Sequence, residues 1–301
     1  LGAGTGTVNV VPGDILTTSS DACGIATETI NTIASVTYTC ANVGVNNVTI
    51  EVTDNNSNVS TCNATVTVED NTTPTMICQP FTAQLGAGGT VTVLPTDIDN
   101  GSSDNCGIAT LTLNGQASLS FSCATTGPNN VTLIATDVNG NVDSCIAVVT
   151  VQDTVFPTAV CNNINVFLDG GGNASIITSD VDGGSTDNCA IATITINGVG
   201  VINYTCADVG PNNVTLDVTD ASGNLSTCVA VVTVQDTVPP LIACQNITVP
   251  LGAGTGTVNV VPGDILTTST DVCGVASETI NTIASVTYTC ANVGVNNVTI
   301  E

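Results

Sequence analysis

The hydrophobic and polar positions of this chain alternate with a period of two over long stretches. Between residues 212 and 220, Val214, Leu216 and Val218 fall on one side and Thr215, Asp217 and Thr219 on the other. Cys62, Ala64, Val66 and Val68 oppose Asn63, Thr65 and Thr67 in the same way. Successive side chains of a strand point to opposite faces, so this pattern predicts antiparallel sheets with one face buried. Over 154–236 it predicts strands at 160–169, 173–178, 191–196, 201–206, 212–220 and 226–236. Gly170, Gly171 and Gly172 supply one turn and Asn197-Gly198 a hairpin turn, and the segment 179–189 is an acidic loop. No helical periodicity is present. Two half-buried sheets laid face to face make a sandwich.

The pattern is copied along the chain. NNVTLDVTDASGNLSTCVAVVTVQDTVPP at 212–240 returns in close variants at 129–157 and 46–74, and it begins again at Asn296. Its cysteine sits at 62, 145 and 228, a period of 83 residues. Residues 1–51 recur almost unchanged at 251–301. Such a period marks one supersecondary unit repeated in tandem. The expected domains are a partial repeat at 1–70 without its first strand, complete repeats at 71–153 and 154–236, and a partial repeat at 237–301 without its last strands. The chain reads as a window onto a longer array.

Composition narrows the function. There is no Lys, Arg or His, and 25 acidic residues give a formal charge of −25. A chain with no cation to set against phosphate is not a nucleic-acid or anionic-lipid binder. With 42% hydrophobic residues it should nevertheless fold, and it has no apolar run of membrane-spanning length. Catalysis is not expected: there is no His base, no amine for a Schiff base and no phosphate clamp. Acids that recur in every unit suit structure better than a glycosidase carboxylate pair.

The 14 cysteines occupy fixed places in the period and form no C-x-x-C pair, which points to disulfides and an oxidising compartment rather than a metal-thiolate site. Aromatic residues are only 2% of the chain, so each small core is marginal and crosslinks should matter. Symmetry about the tight turns predicts Cys23–Cys40, Cys106–Cys123, Cys189–Cys206 and Cys273–Cys290. For the others, Cys78–Cys145 and Cys161–Cys228 are expected, because the first and last strands of a sandwich start at the same end. The pattern 62–78, 145–161, 228–244 stays open as the rival.

The run D-x-x-G-N-x-x-x-C-x-x-x-V-T-V-x-D-x-x-x-P, carried by Asp220, Gly223, Asn224, Cys228, Val232, Thr233, Val234, Asp236 and Pro240, resembles the hyalin-repeat (HYR) family. The upstream D-N-C-G at 104–107 does too. The version with four cysteines per unit and no basic residues is similar to repeats of giant surface adhesins of gliding, Bacteroidota-type bacteria. The resemblance implies an all-β tandem array of immunoglobulin-like (fibronectin III/HYR-like) sandwiches, export to the cell surface and a role in adhesion. Departures are Asn56-Ser57-Asn58 in place of the Gly-Asn turn, and Ala190 for Gly107.

Strand polarity gathers acids at the leading end of each repeat. For the second these are Glu69 and Asp70 from the linker, Asp97, Asp99 and Asp104 from a loop, and Asp137, Asn139, Asn141 and Asp143 from the last turn. For the third they are Asp153, Asp180, Asp182, Asp187 and Asp220, and Asp236 opens the next set. Packed carboxylates without basic partners repel, and Ca²⁺ would relieve this with six to eight oxygen ligands. Ordinary Asp/Asn/Gly turns supply the competing explanation. Thr154 and Thr237 lie in D-T-aliphatic sequences that resemble O-glycosylation sites of such exported proteins. The expected function is a stiff structural stalk or filament of an extracellular adhesin supporting attachment or gliding, with calcium at its joints. The alternative is a calcium-dependent glycan- or ligand-binding module. Expected partners are neighbouring repeats, and a surface, glycan or outer-membrane anchoring machinery.

Overall fold

A computed structural model describes residues 1–301. The chain is all-β and divides into two compact units, Leu1–Val155 and Phe156–Glu301.

In Leu1–Val155 the second repeat is an immunoglobulin-like sandwich. Its larger sheet runs in the order Phe81–Gln84, Val142–Gln152, Gly127–Asp137, Ile108–Leu113. The smaller sheet pairs Thr90–Val93 with Leu119–Ser122. The first strand joins the last in parallel, with Phe81 opposite Val149. The two long strands pair antiparallel, with Leu133 opposite Cys145. The alternation sets the faces: Val131, Leu133 and Ala135 are buried, as are Val149 and Val151 of the partner strand and Val93 and Phe121 of the smaller sheet. The first repeat has the same plan in a three-stranded sheet, Ile25–Ile30, Gly44–Asp54, Val59–Val68, with Thr7–Val10 paired to Val36–Thr39.

In Phe156–Glu301 the third repeat repeats this order, Ile164–Phe167, Leu225–Gln235, Gly210–Asp220, Ile191–Ile196, with Asn173–Ile177 against Val201–Thr205. Val214, Leu216, Val218, Val232 and Val234 join Tyr204 in one buried cluster. Residues 237–301 form only two short pairs, Leu241–Cys244 with Leu266–Thr270 and Thr257–Val260 with Val286–Thr289, over a core of Val260, Ile265 and Ile280.

Two features depart from the sequence expectation. The acidic loop begins with one helical turn, Pro95–Ile98 in the second repeat and Thr178–Val181 in the third. An acid three residues on closes each turn: Asp97 accepts the Leu94 N–H at 2.8 Å and Asp180 accepts the Ile177 N–H at 2.7 Å. The turn points Ile98 and Val181 inward, and both are fully buried.

The second departure is the Asn-Gly turn. Asn114 and Gly115 have φ of 49° and 80°, the left-handed pair that a tight two-residue turn needs. Yet only Leu113 and Gln116 bridge across it. Ile108–Leu113 belongs to the larger sheet and Leu119–Ser122 to the smaller. The chain changes sheets at this turn, so positions equidistant from it do not face each other along a ladder.

Leu133→Ala removes a fully buried side chain from the central strand and is expected to cost about 2–5 kcal/mol. Ile134→Ala, on the opposite face of the same strand, should cost far less. Urea unfolding followed by circular dichroism reads both, and equal losses would mean that the faces are assigned wrongly.

Candidate functional site

The sheet change redirects the cysteines. Cys40, which follows Val36–Thr39, joins Cys106 of the next repeat with Cα atoms 5.3 Å apart. Cys206 joins Cys273 in the same way at 5.0 Å. The turn-symmetric pairs Cys23–Cys40, Cys106–Cys123, Cys189–Cys206 and Cys273–Cys290 are therefore not formed. The strands they flank belong to different sheets, and the loop that carries Cys106 reaches Cys40 of the neighbouring repeat instead. Within repeats, Cys78 joins Cys145 and Cys161 joins Cys228, which excludes the rival 62–78 pattern. Cys23, Cys62, Cys244 and Cys290 are free and exposed. Spacing about a turn says nothing about which sheet a strand joins, so the inter-repeat pairing cannot be read from it.

The staple Cys40–Cys106 closes a seam between the first and second repeats. A methyl group on Gly6 would sit 2.6 Å from the Asn105 carbonyl oxygen and 2.9 Å from the Cys40 sulfur. Gly6 also has φ +60°, so both space and backbone require glycine there. In the other unit Gly172 plays this part: a methyl group on it would lie 2.8 Å from the Cys206 sulfur and 3.1 Å from the Val272 side chain.

Three carboxylates meet at the first seam. Asp70 comes from the linker, Asp104 from the D-N-C-G loop and Asp137 from the last turn, and one oxygen of each lies within 4.8 Å of the others. Asp70 is 6% exposed and Asp137 2%. Asp137 Oδ1 accepts the N–H groups of Asn139 and Asn141, both at 2.8 Å, and its Oδ2 accepts Asn141 Nδ2 at 2.7 Å. Asp70 Oδ2 accepts Asn139 Nδ2 at 2.9 Å, and its carbonyl accepts Asn141 Nδ2 at 3.0 Å. Asn105 Nδ2 reaches Asp70 Oδ1 at 3.3 Å and the Gly2 carbonyl at 3.4 Å. Asp104 Oδ1 caps the N–H groups of Cys106 and Gly107 at 2.7 and 3.0 Å. Asp104 Oδ2 and Asn105 Oδ1 are buried and accept nothing.

Burial pushes the Asp137 pKa up, but the hydrogen bonds from Asn141, Asn139 and Gly140 outweigh it and hold the carboxyl below its usual value. Asp54, one period earlier, is also held low, first by the side chain and backbone of Asn58. Asp182 is held low too: burial opposes this, and the Ser185 hydroxyl and backbone together with the Gly184 N–H prevail. The last-turn acid is thus a self-sufficient turn device, as it is at Asp220, which accepts Ser222 and Asn224 N–H groups at 2.9 and 2.8 Å. Its repulsion with two neighbours is not satisfied by that device. At an effective dielectric of about 20, charges this close repel by roughly 3–4 kcal/mol per pair.

The other expected metal residues lie elsewhere. Asp97 and Asp180 cap helical turns. Asp99 accepts the Ser102 N–H at 3.0 Å, and Asp182 accepts the Ser185 N–H and hydroxyl. These four acids are committed to their own loops and are not among the carboxylates that meet at the seam. Glu69 is exposed, bonds Asn71 Nδ2 at 3.3 Å and offers its carbonyl to the Leu1 amine. Asp153 is buried and accepts the Val155 N–H at 3.1 Å. Asp187 caps Cys189 and Ala190 much as Asp104 caps its own loop, and its Oδ1 is buried without a partner. Asp236 stands with Asp271 and Cys273, but that sulfur is tied to Cys206 and is no thiolate ligand. Thr154 and Thr237 are exposed, and the Thr154 hydroxyl donates to Gln84 Oε1 at 2.6 Å. Strand polarity collects Asn141 with the last turn, whereas Asn105, which also completes the seam, carries no signal beyond adjacency to Asp104.

Strand order and stapled seam define the class: tandem immunoglobulin-like β-sandwich repeats, crosslinked within and between repeats. No family model matches the chain, and no curated protein does. Among solved structures it is similar to titin fragment I67–I69, at 12% identity over 67% of this chain and 80% of that one, with a TM-score of 0.36. It is also similar to mouse cadherin-23 EC22–24, at 18% identity over 68% and 79%, with a TM-score of 0.30. The match to protocadherin gamma B7 extracellular cadherin domains 1–4 has 12% identity and a TM-score of 0.29, covering 69% of this chain and 63%, under two thirds, of that one. A further similar structure is an endo-fucoidan hydrolase, at 16% identity over 78% of this chain and 42% of that one, with a TM-score of 0.23. At these scores the assignment rests on strand order and pairing. Disulfide-rich sandwiches fit an extracellular setting, and no helix is long and apolar enough to cross a membrane.

Two outcomes are expected. Digestion at acidic residues without reductant should yield peptides joined through Cys40–Cys106 and Cys206–Cys273, read by mass spectrometry; Cys106–Cys123 peptides would contradict the seam. Asp54, Asp137 and Asp182 have lowered folded pKa values, so their stabilisation is present above the ordinary Asp value of about 3.9 and is lost as pH falls through the folded values. Melting temperature should hold between about pH 7 and 5 and fall below about pH 4.

Proposed function

We propose that this chain is the structural repeat region of an extracellular adhesin, a stalk that carries load rather than a site that turns over a substrate. The observation that carries the reading is the pairing of the cysteines. The chain enters a repeat near Cys78, and Cys145 stands near the start of its last strand, Val142–Gln152, so the disulfide ties the entry to the strand by which the chain leaves. Tension applied along the chain then passes through the bond and leaves the intervening residues unstretched. The loop of 67 residues so protected would otherwise release about 220–240 Å of chain. Cys40–Cys106 adds a second covalent route across the joint beside the linker. The loop entropy removed by each bond contributes about 2–4 kcal/mol, which suits repeats whose cores lack large aromatic side chains.

The resemblance to hyalin-type repeats of gliding adhesins supports a surface location and a filament that is stiff at its stapled joints. Its partners are then neighbouring repeats, with a surface or anchoring machinery reached by other parts of the protein. The buried setting of Asp70 and Asp137 supports a seam role over the alternative of an open, calcium-dependent glycan site. Exposure of Thr154 and Thr237 leaves both available for glycosylation.

Single-molecule stretching tests the reading. The oxidised chain is expected to reach high force with no long release from the two complete repeats. Reductant should add steps of about 220–240 Å, one for each. Long, low-force release from the oxidised chain would exclude a load-bearing role.

A further inference from the structure

The first seam holds more negative charge than its hydrogen bonds account for. Asp70, Asp104 and Asp137 bring carboxylate oxygens within 4.8 Å of one another, and the chain contains no Lys, Arg or His to set against them. A tight acidic turn explains Asp137 alone, since Asp54 makes the same bonds in the first repeat. It does not explain two oxygens in one loop, Asp104 Oδ2 and Asn105 Oδ1, that are out of solvent and accept no hydrogen bond. Buried acceptors without a partner are rare and call for an occupant that supplies one, such as a bound ion or a water. Asn105 is part of the same cluster, because its Nδ2 donates to Asp70 Oδ1.

We propose that Asp70, Asp104 and Asp137, with the Asn105 side-chain oxygen, bind one Ca²⁺ ion at the seam between the first and second repeats. The donors are all hard oxygens, which select an alkaline-earth ion over zinc or copper. The sulfur of Cys106, two residues from Asp104, is held in the staple with Cys40 and offers no thiolate. An irregular set of carboxylate and amide oxygens from three separate segments suits the variable six-to-eight coordination of Ca²⁺ better than the strict octahedron of Mg²⁺. The linker, the loop and the last turn each supply a ligand, so the ion couples the two repeats. Binding to the folded seam alone stabilises it by mass action.

The test uses the full oxidised chain stripped with EDTA. Calcium titration by calorimetry, with melting followed in parallel, should give saturable binding and a higher melting temperature. The double variant Asp70→Asn/Asp104→Asn should bind one equivalent fewer than the parent and lose part of that rise. Asp143→Asn removes one exposed acid outside the cluster and should bind as the parent does. Retention of β circular dichroism and of the Cys40–Cys106 crosslink in the double variant shows that the loss is not misfolding. The proposal is overturned if the parent binds no calcium, if the double variant keeps every equivalent, or if Mg²⁺ at equal concentration gives the same heat and melting shift.

Discussion

Every negative charge in this protein must be held without a positive side chain. That single constraint shapes the loops. Backbone N–H groups and Asn amides take the place of Lys and Arg, and many of the loop aspartates sit where one or more of them point. Asp54, Asp137 and Asp220 each gather two N–H groups and one Asn side chain within a single turn. Asp97 and Asp180 each take the N–H at the start of a helical turn. Dipoles can hold one carboxylate in this way, because three short hydrogen bonds to the charged form offset its burial. They do much less for three carboxylates brought together, which is why the seam stands apart from the turns that compose it.

The second constraint is the core. Val, Leu, Ile and Ala fill the sandwich, with one Tyr or Phe buried in each of the first three repeats. Such a core buries modest area per residue, and the disulfides make up the difference. They do so in two directions. Cys78–Cys145 and Cys161–Cys228 tie the first strand to the last, where the parallel pairing of Phe81–Gln84 with the closing strand already brings them together. Cys40–Cys106 and Cys206–Cys273 tie one repeat to the next. The first kind resists unfolding of a repeat, and the second resists bending and separation at a joint. Gly6 and Gly172 are the positions that let the backbones approach closely enough for the second kind.

Much of this was legible in the residues. Period-two alternation marked the long strands to within a residue or two, and the copied phrase gave the repeat length. The reasoning from strand direction placed Cys78 beside Cys145, because the first and last strands of a sandwich begin at the same end. The same reasoning collected Asp70, Asp104 and Asp137, but with Asp97 and Asp99, which fold back on their own loop. Linear order put these five acids at one end of the repeat. It could not tell a carboxylate aimed at the neighbouring repeat from one turned back to cap its own helical turn.

What the chain determined by itself is local: strands from alternation, turns from Asn-Gly and Asp-Asn, and an oxidised array from recurring cysteines. What tertiary structure decided is which sheet each strand joins. At Asn114-Gly115 the backbone makes the tight turn its residues demand, and the next strand then crosses to the opposite sheet. That choice depends on burying Phe121 and Val93 together, a packing preference spread over many residues and absent from any short window. It sends Cys106 to Cys40 rather than to Cys123, and so joins modules that spacing alone would have left separate.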